Sequence, residues 1–480
     1  MFQLINHILL EFKGCFKRAK TWQWFLVLVI GFITRNDLQG VTSVISDLRL
    51  NPSLYHTMLH FFRSTAYKLK DLYDKWIKIA IKHGAFVMIA ERVVLLGDHI
   101  KISKEGRHMP GIQTLHQESN NSAKPKFIEG HTFAQISAVI TNGQVSRSLP
   151  LMTQRQESPQ KEEDKKKKNE NSLVVQMVNA VHETAKSLDQ PVVAALDAYF
   201  SSESAWSTAD KTIMETGERF VEIVTRAQTN TVAFTDPEPP KVKKPGHPRK
   251  YGEKVNLYNI FGDMSKFTQT IMILYGKKAK VQYLCMDLIW KPVKKHVRFV
   301  LVKINSGCCI LMSTSLTLSP ENIIKIYALR FKIETSFNEQ KNNIGSFAYH
   351  FWTTALSKRK RWSKIKQPSD PNLLKRIEKA EQATESFVCL CTIATGILSI
   401  IAFTHSCEIW KHYPGWIKTL RSTIPTIAIV KNTLAHDLPA FLKAFPNLLM
   451  CSIINSKARL TAFIYDDCFF SYSNTYERTG

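Results

Sequence analysis

Two acidic residues of this 480-residue chain stand where an acid is expensive, and a third joins them from a helix. Asp98 follows the apolar run 92–97 and Asp197 follows 191–196, both patterned as strands buried on two faces. A carboxylate at such a position is costly unless it is paired or binds a cation. The third is Glu334, on a predicted helix that opens with Ser319 as cap, Pro320 at its first position and Glu321 near its positive end. On that helix Tyr327, Arg330, Glu334 and Lys341 stand at offsets of 0, 3, 7 and 14. At roughly 100° per residue they share about 60° of arc along ~21 Å, a single polar stripe. Two strand acids and a helix acid can hold two Mg²⁺ ions, which clamp the attacking and leaving oxygens of a phosphodiester without a covalent protein nucleophile. Arg330 and Lys341 are then placed to hold phosphates on either side. The plain alternative is a solvated helix face with an Arg330–Glu334 ion pair.

Competing residues fit less well. Glu339 lies five positions beyond Glu334, about 140° round an ideal helix, and is expected to be a surface charge. Glu203 and Asp287 fall in the same segments, while Glu91 and Asp189 sit at strand entrances, where solvated carboxylates are common. His99, His108, His116 and His131 are spaced by 9, 8 and 15, which matches no helical ligand pair, and no paired cysteines accompany them. Zinc is therefore not expected. His99 should point to the opposite side of its strand from Asp98. Lys101, Lys104 and Arg107 are either phosphate contacts or solvated turn charges.

Composition narrows the partner. The chain carries a formal net charge of +25 with 44% hydrophobic residues, so it is globular, and its excess charge suits a polyanion. Nine thinly spread cysteines read as free thiols in a reducing compartment. The uncharged run 22–33 is too short to span a bilayer, and no small-residue cleavage site follows it. The run 386–404 reaches the spanning length, but Thr392, Thr395, Gly396 and Ser399 interrupt it, and a helix buried between protein layers is expected, with no membrane partner.

Five parts are expected along the chain. Residues 1–88 read as a helical region with the outline of a helix-turn-helix module, either for DNA binding or for plain packing. It includes a segment near 41–48, a helix entered through Asn51 and Pro52 with Leu54, Tyr55, Met58, Leu59 and Phe62 on one face, and a third helix over 69–83. Residues 89–214 form the first part of an α/β core. Residues 215–316 form a mostly antiparallel, β-rich insertion, with strands near 220–224, 269–275, 281–290, 297–304 and 309–312. Residues 317–406 supply the helices that carry Glu334, and 407–480 form a C-terminal helical region that is a candidate for dimerisation, although the sequence does not show the dimer interface. Residues 158–172 read as a mixed-charge solvated loop. Residues 239–251 hold Lys241, Lys243, Lys244, Arg249 and Lys250 without an acid, between prolines, and read as a basic arm for nucleic acid or as a solvated linker.

The string Tyr327, two residues, Arg330, three residues, Glu334, six residues, Lys341 resembles the Tyr-Arg-Glu-Lys signature of a large group of bacterial insertion-sequence DDE transposases. The contexts LLGDHIKISKEGRHMPG around Asp98, VVAALDAYFSS around Asp197 and GHPRKYGEKV from Gly246 are similar to that group as well, and the resemblance runs from about 22 to 404. It implies a ribonuclease H-like catalytic core whose β-rich insertion separates the second Asp from the Glu, flanked by N-terminal and C-terminal helical parts. It further implies Asp98, Asp197 and Glu334 as catalytic, metal-binding residues for Mg²⁺, with Mn²⁺ as substitute, and Tyr327, Arg330 and Lys341 as DNA-binding residues. The implied activity is cleavage at terminal inverted repeats and joining of the freed 3′-hydroxyls to target DNA, by a homodimer at the cytoplasmic nucleoid. An aromatic residue against a flipped base would come from Trp206 or Trp290. The rival expectations are a DNA-binding protein derived from a transposase that has lost catalysis and, third, a membrane protein anchored through 386–404 with basic loops facing anionic lipid.

Overall fold

The computed structural model describes the whole chain except residues 39, 118–122, 124, 159–170, 239–246, 248, 306, 361, 363–367, 417–423 and 460–480. Most of the 158–172 loop and Lys241, Lys243 and Lys244 of the basic arm therefore lie outside the described residues. The chain divides into two compact units: one comprises Met1–Ile79, Glu105–Ile112 and Asn338–Gly480, the other Ala80–Lys104 and Gln113–Phe337.

The first unit is helical. Its N-terminal part holds α1 (Phe2–Glu11), α2 (Ala19–Thr34), α3 (Thr42–Asp47), α4 (Tyr55–Phe62) and most of α5 (Leu69–His83). Asn51 accepts from the Ser53 backbone N–H and Pro52 takes the first position, as the sequence requires, and Met58 and Phe62 are buried. These helices do not close on themselves. From Trp24 to Thr34 every residue of α2 is buried, and a helix that is apolar all round needs cover on all sides. That cover comes largely from the other end of the chain, so the helical part expected over 1–88 is not a free-standing module. The later helices, numbered after α6 (Leu173–Leu188), α7 (Glu203–Ala209), α8 (Pro320–Leu329) and α9 (Lys332–Asn338), are α10 (Pro371–Thr404), α11 (Ser406–His412), α12 (Ile427–Ala444) and α13 (Leu449–Asn455). Of these, α10, α12 and α13 pack on α2. Arg35, at the end of α2, is fully buried, stacks on Phe32 and donates to the carbonyls of Ile344 and Gly345. Among the described residues α10 is one helix long and apolar enough to cross a membrane; most of its apolar stretch is buried inside the protein.

The second unit is built on one mixed sheet of thirteen strands. The strands are β1 (Met88–Ile89), β2 (Arg92–Ser103), β3 (Gln113–His116), β4 (Phe127–Thr141), β5 (Ser146–Gln156), β6 (Val192–Leu196) and β7 (Val221–Arg226), then β8 (Val232–Phe234), β9 (Lys254–Asn256), β10 (Thr268–Leu274), β11 (Lys277–Trp290), β12 (Lys295–Ile304) and β13 (Gly307–Ser313). β5, β4 and β2 are successive antiparallel neighbours, whereas β2, β6 and β7 run parallel. The strand near 220–224, expected within an antiparallel insertion, is thus parallel to β6. A strand buried on both faces is a continuous apolar run in either direction, so periodicity could not separate the two. The remaining strands of that region continue the same sheet, because β13 pairs antiparallel with β7. Helix α6 packs on β2, β4, β5 and β7, and α8 packs on β6, β7, β12 and β13.

Alternation along β2 and β6 settles which side chains meet. Val94, Leu96, Val193 and Ala195 belong to one buried cluster with Ile323, Ile324 and Ile326 of α8 and Ile333 of α9. Gly97, on the opposite face, has Leu196 Cδ2 and Met177 Sδ at 2.6 and 3.2 Å from where a Cβ would stand. Overpacking of that kind costs about 1–3 kcal/mol. Gly97→Val should therefore lower the urea midpoint with little change in slope; an unchanged midpoint would show that the two strands and α6 can yield at this point.

Candidate active site

The parallel register between β2 and β6 ends at Gly97 with Leu196. The next residue on each strand is an acid. Asp98 and Asp197 thus stand side by side at the spacing of adjacent strands, about 4.8 Å, and two-residue alternation turns both to the face that carries α8 and α9. Asp197 also caps a short helical turn, Ala198–Phe200, and its carbonyl accepts from Thr225 Oγ1 at 2.6 Å.

Tyr327 lies in the last turn of α8, which closes with Arg330 as its C-cap. Glu334 is in the first turn of α9. Between them the backbone makes i→i+3 bonds, Arg330 N–H to Tyr327 O, Ile333 N–H to Arg330 O and Glu334 N–H to Phe331 O. After α9 comes a π-helical turn, Glu339–Ile344. The stripe expected from one regular helix is therefore interrupted twice, because neither a tightened turn nor a π-turn keeps 100° per residue. Tyr327, Arg330 and Glu334 remain with the two aspartates in one unit, while Lys341 is an exposed residue of the other unit. Glu339, expected at the surface, is buried, and it opens the π-helical turn, where the regular spacing behind that expectation no longer holds.

Arg330 links the acids. Its Nη1 donates to Asp98 Oδ2 at 3.3 Å and its Nη2 to Glu334 Oε1 at 3.2 Å. Asp98 Oδ1 accepts from the His99 backbone N–H at 2.8 Å. Burial pushes the Asp98 carboxyl up to about 6; the His99 bond and Arg330 oppose this, while the charges of Asp197 and Glu334 add to it. Burial works against the Arg330 charge, yet Asp197, Asp98, Tyr327 and Glu334 together hold its pKa above the ordinary value. The Tyr327 hydroxyl is pushed up to about 12, first by burial, with Arg330 opposing and Asp197 reinforcing. Asp98, Asp197, Glu334, Arg330 and Tyr327 therefore form one electrostatic unit.

The sequence did not point to Gln135. It stands opposite Asp98 in the β2–β4 register, fully buried, and its Nε2 donates to Ser137 Oγ and to Ser336 Oγ on α9, each at 2.8 Å. Its Oε1 has no partner among the described residues. This glutamine ties the strand beside Asp98 to the helix bearing Glu334. A lone polar residue in a strand carries no signal of that role.

The remaining candidates separate cleanly. Arg249 and Lys250 are exposed. Trp206 and Trp290 are buried and pack edge-to-face with centroids 5.3 Å apart, so both are core residues here. Asp287 is held by Arg298 at 2.8 and 2.6 Å. Lys101 donates to the His116 carbonyl. His99 turns away from Asp98 to Gln156 and stacks on Phe200; His108 meets the Leu356 carbonyl, while His116 and His131 pack against Phe127 and Phe133. Among the described residues no three His, Cys, Asp or Glu side chains are grouped tightly enough to hold a metal ion. The Arg330 guanidinium bridges Asp98 and Glu334 instead.

A family model described as DDE superfamily endonuclease matches residues 11–269, more than half of the chain. The chain belongs to the DDE superfamily endonucleases. Membership makes a nuclease of the transposase type the activity to consider. The match includes the segments of Asp98 and Asp197 and ends before α8, so this DDE endonuclease is placed in its family without the Tyr-Arg-Glu-Lys string. No curated protein matches the chain.

The charge arrangement has a measurable consequence for this endonuclease. Because its surroundings favour the neutral form of Asp98, Asp98→Asn should stabilise the metal-free protein at pH 7 by about 1–2 kcal/mol. Arg330→Gln, which leaves the carboxylates without their shared cation, should destabilise it by about 1–3 kcal/mol. Chemical denaturation in EDTA measures both, and the same sign for the two variants would contradict the electrostatic account.

Proposed function

We propose that this DDE endonuclease is a DNA transposase, with Asp98, Asp197 and Glu334 as its catalytic acids. The observation that carries the reading is the placement of Asp98 and Asp197 on adjacent parallel strands, facing the helix that bears Glu334. The strand order β5-β4-β2-β6-β7, three antiparallel neighbours followed by two parallel strands, supports a ribonuclease H-like core, with β8 to β13 as its β-rich insertion.

The three candidate acids offer carboxylate oxygens alone, without thiol or imidazole, which suits a hard divalent cation such as Mg²⁺, with Mn²⁺ as substitute. Bound there, such ions supply activation of a water or a DNA 3′-hydroxyl and stabilise the charge that develops on the scissile phosphate. The protein's own groups do the rest. Asp98, Asp197 and Glu334 bind as carboxylates. Arg330, once it no longer has to neutralise them, offers its planar fork to a phosphate oxygen beside the cut. Tyr327, kept protonated by its surroundings, donates a hydrogen bond to the same backbone. Lys341, Arg249 and Lys250, with Lys241, Lys243 and Lys244 of the basic arm, add phosphate contacts that position terminal inverted repeats without reading their sequence. Two ends handled together call for a homodimer acting on DNA at the nucleoid.

A second reading is a DNA-binding protein that has lost catalysis, favoured by the engagement of Arg330 between Asp98 and Glu334. One experiment separates the two. A labelled duplex carrying the element's own ends is incubated with wild type or Glu334→Gln, in Mg²⁺ or EDTA. The transposase reading expects nicking at the repeat boundary only with metal, reduced at least ~1,000-fold in the variant, with binding retained. Binding by the wild type without any cutting would establish the second reading instead.

A further inference from the structure

The ribbon formed by β10 and β11 has an outer face that its fold does not use. The two strands pair from Thr268 with Tyr283 to Leu274 with Lys277, while β12 joins β11 only from Val281 onward. The end of the ribbon, Ile271 to Lys280, is therefore two-stranded. Its inner face is ordinary: Met272 and Leu274 are buried in the cluster that also holds Val281, Ile323 and Ile324. An antiparallel ribbon packed on one side is expected to be polar on the other. Here Ile271 and Ile273 point outward, 74% and 69% exposed, and Tyr275 at the tip is 69% exposed.

Charge and backbone distinguish this face from a chance exposure. Lys280 stands directly across from Ile271 and Lys278 across from Ile273. From 264 to 286 the sequence contains Lys266, Lys277, Lys278 and Lys280 and no acidic residue. The turn consists of Tyr275 and Gly276, with φ of 53° and 77°, the positive pair of a tight hairpin turn. Asn or Asp is the usual first residue of such a turn. A bulky tyrosine there costs strain and is held with its ring in solvent. Lysines beside a strand do guard against edge pairing, but that need does not explain three large apolar side chains on the guarded face. A second copy of the chain would bring two sets of lysines together, which like-charge repulsion disfavours. A polyanion with an apolar floor fits both features, and a two-stranded ribbon is a shape that a DNA groove admits.

The ribbon is also fixed to the helix of the candidate site. The Tyr283 hydroxyl donates to the Glu321 carboxylate in the first turn of α8, and Arg330 closes the same helix. We propose that the outer face of the β10–β11 ribbon is a second DNA contact, with Lys278 and Lys280 on phosphates and Ile271, Ile273 and Tyr275 against a groove. This rests on the transposase reading, and deepens it by naming a surface.

The test uses the full chain and a fluorescein-labelled duplex of mixed sequence, with anisotropy followed across a salt series. Lys278→Gln with Lys280→Gln should weaken binding about tenfold and reduce the slope of log affinity against log salt by about 2, near 0.9 per phosphate contact. Ile271→Thr with Ile273→Thr, which keeps strand-forming side chains at exposed positions, should weaken binding by a similar factor and leave the slope unchanged. Circular dichroism checks that both variants fold. An unchanged slope and affinity in the lysine pair, while the wild type binds and cuts DNA, overturns the ribbon contact and leaves the transposase reading intact. A wild type that binds no duplex removes both. A molar mass that falls by half only in the isoleucine pair, with the lysine pair still binding as wild type does, assigns the face to a second copy and overturns the proposal.

Discussion

Three like charges have to coexist at the edge of the buried sheet, and much of the local architecture follows from that requirement. The parallel register of β2 and β6 brings Asp98 and Asp197 together on the face that carries Glu334. Two carboxylates about 5 Å apart repel by roughly 3 kcal/mol at an effective dielectric near 20. Arg330 relieves this by reaching Asp98 and Glu334 at once, and it retains its own charge in a half-buried place only because the acids surround it. The same interaction sits at the break between α8 and α9, where the tightened turn allows one guanidinium to serve a strand and a helix. Gln135 and Ser336 form a second tie between strand and helix that does not depend on charge. An acid held in this way is destabilising by itself, and sites that trade stability for a reactive arrangement have this character.

The two units use different physics. The sheet unit joins distant strands through backbone pairing, so an interval of about a hundred residues between β7 and α8 can be filled by further strands on the same sheet. The helical unit relies on apolar helices that need partners. Helix α2 has no polar side to present to water, and the helices that cover it come from the far end of the chain. Arg35 shows how such a core tolerates a cation: aromatic rings flank the guanidinium, and carbonyls at the end of the π-helical turn accept its protons.

Features set by local chemistry could be read directly from the order of residues. Apolar runs ending in Asp98 and Asp197 mark buried strands, because an acid there would otherwise be unaffordable, and Ser319 with Pro320 marks the start of α8. The cap at Asn51 and most insertion strands follow from equally local rules. Tertiary structure decided the rest. β4 and β5 were not legible because His131, Thr132, Gln135, Ser137, Ser148 and Thr153 are buried polar residues that break the apolar pattern of their strands. The direction of β7 depended on its neighbour. The stripe from Tyr327 to Lys341 assumed a helix of constant pitch, but a tightened turn precedes α9 and a π-helical turn follows it. Spacing along a chain encodes which residues can share a face only while the helix stays regular. Which faces then meet is set by register and packing between segments far apart in sequence, and no local pattern carries that information.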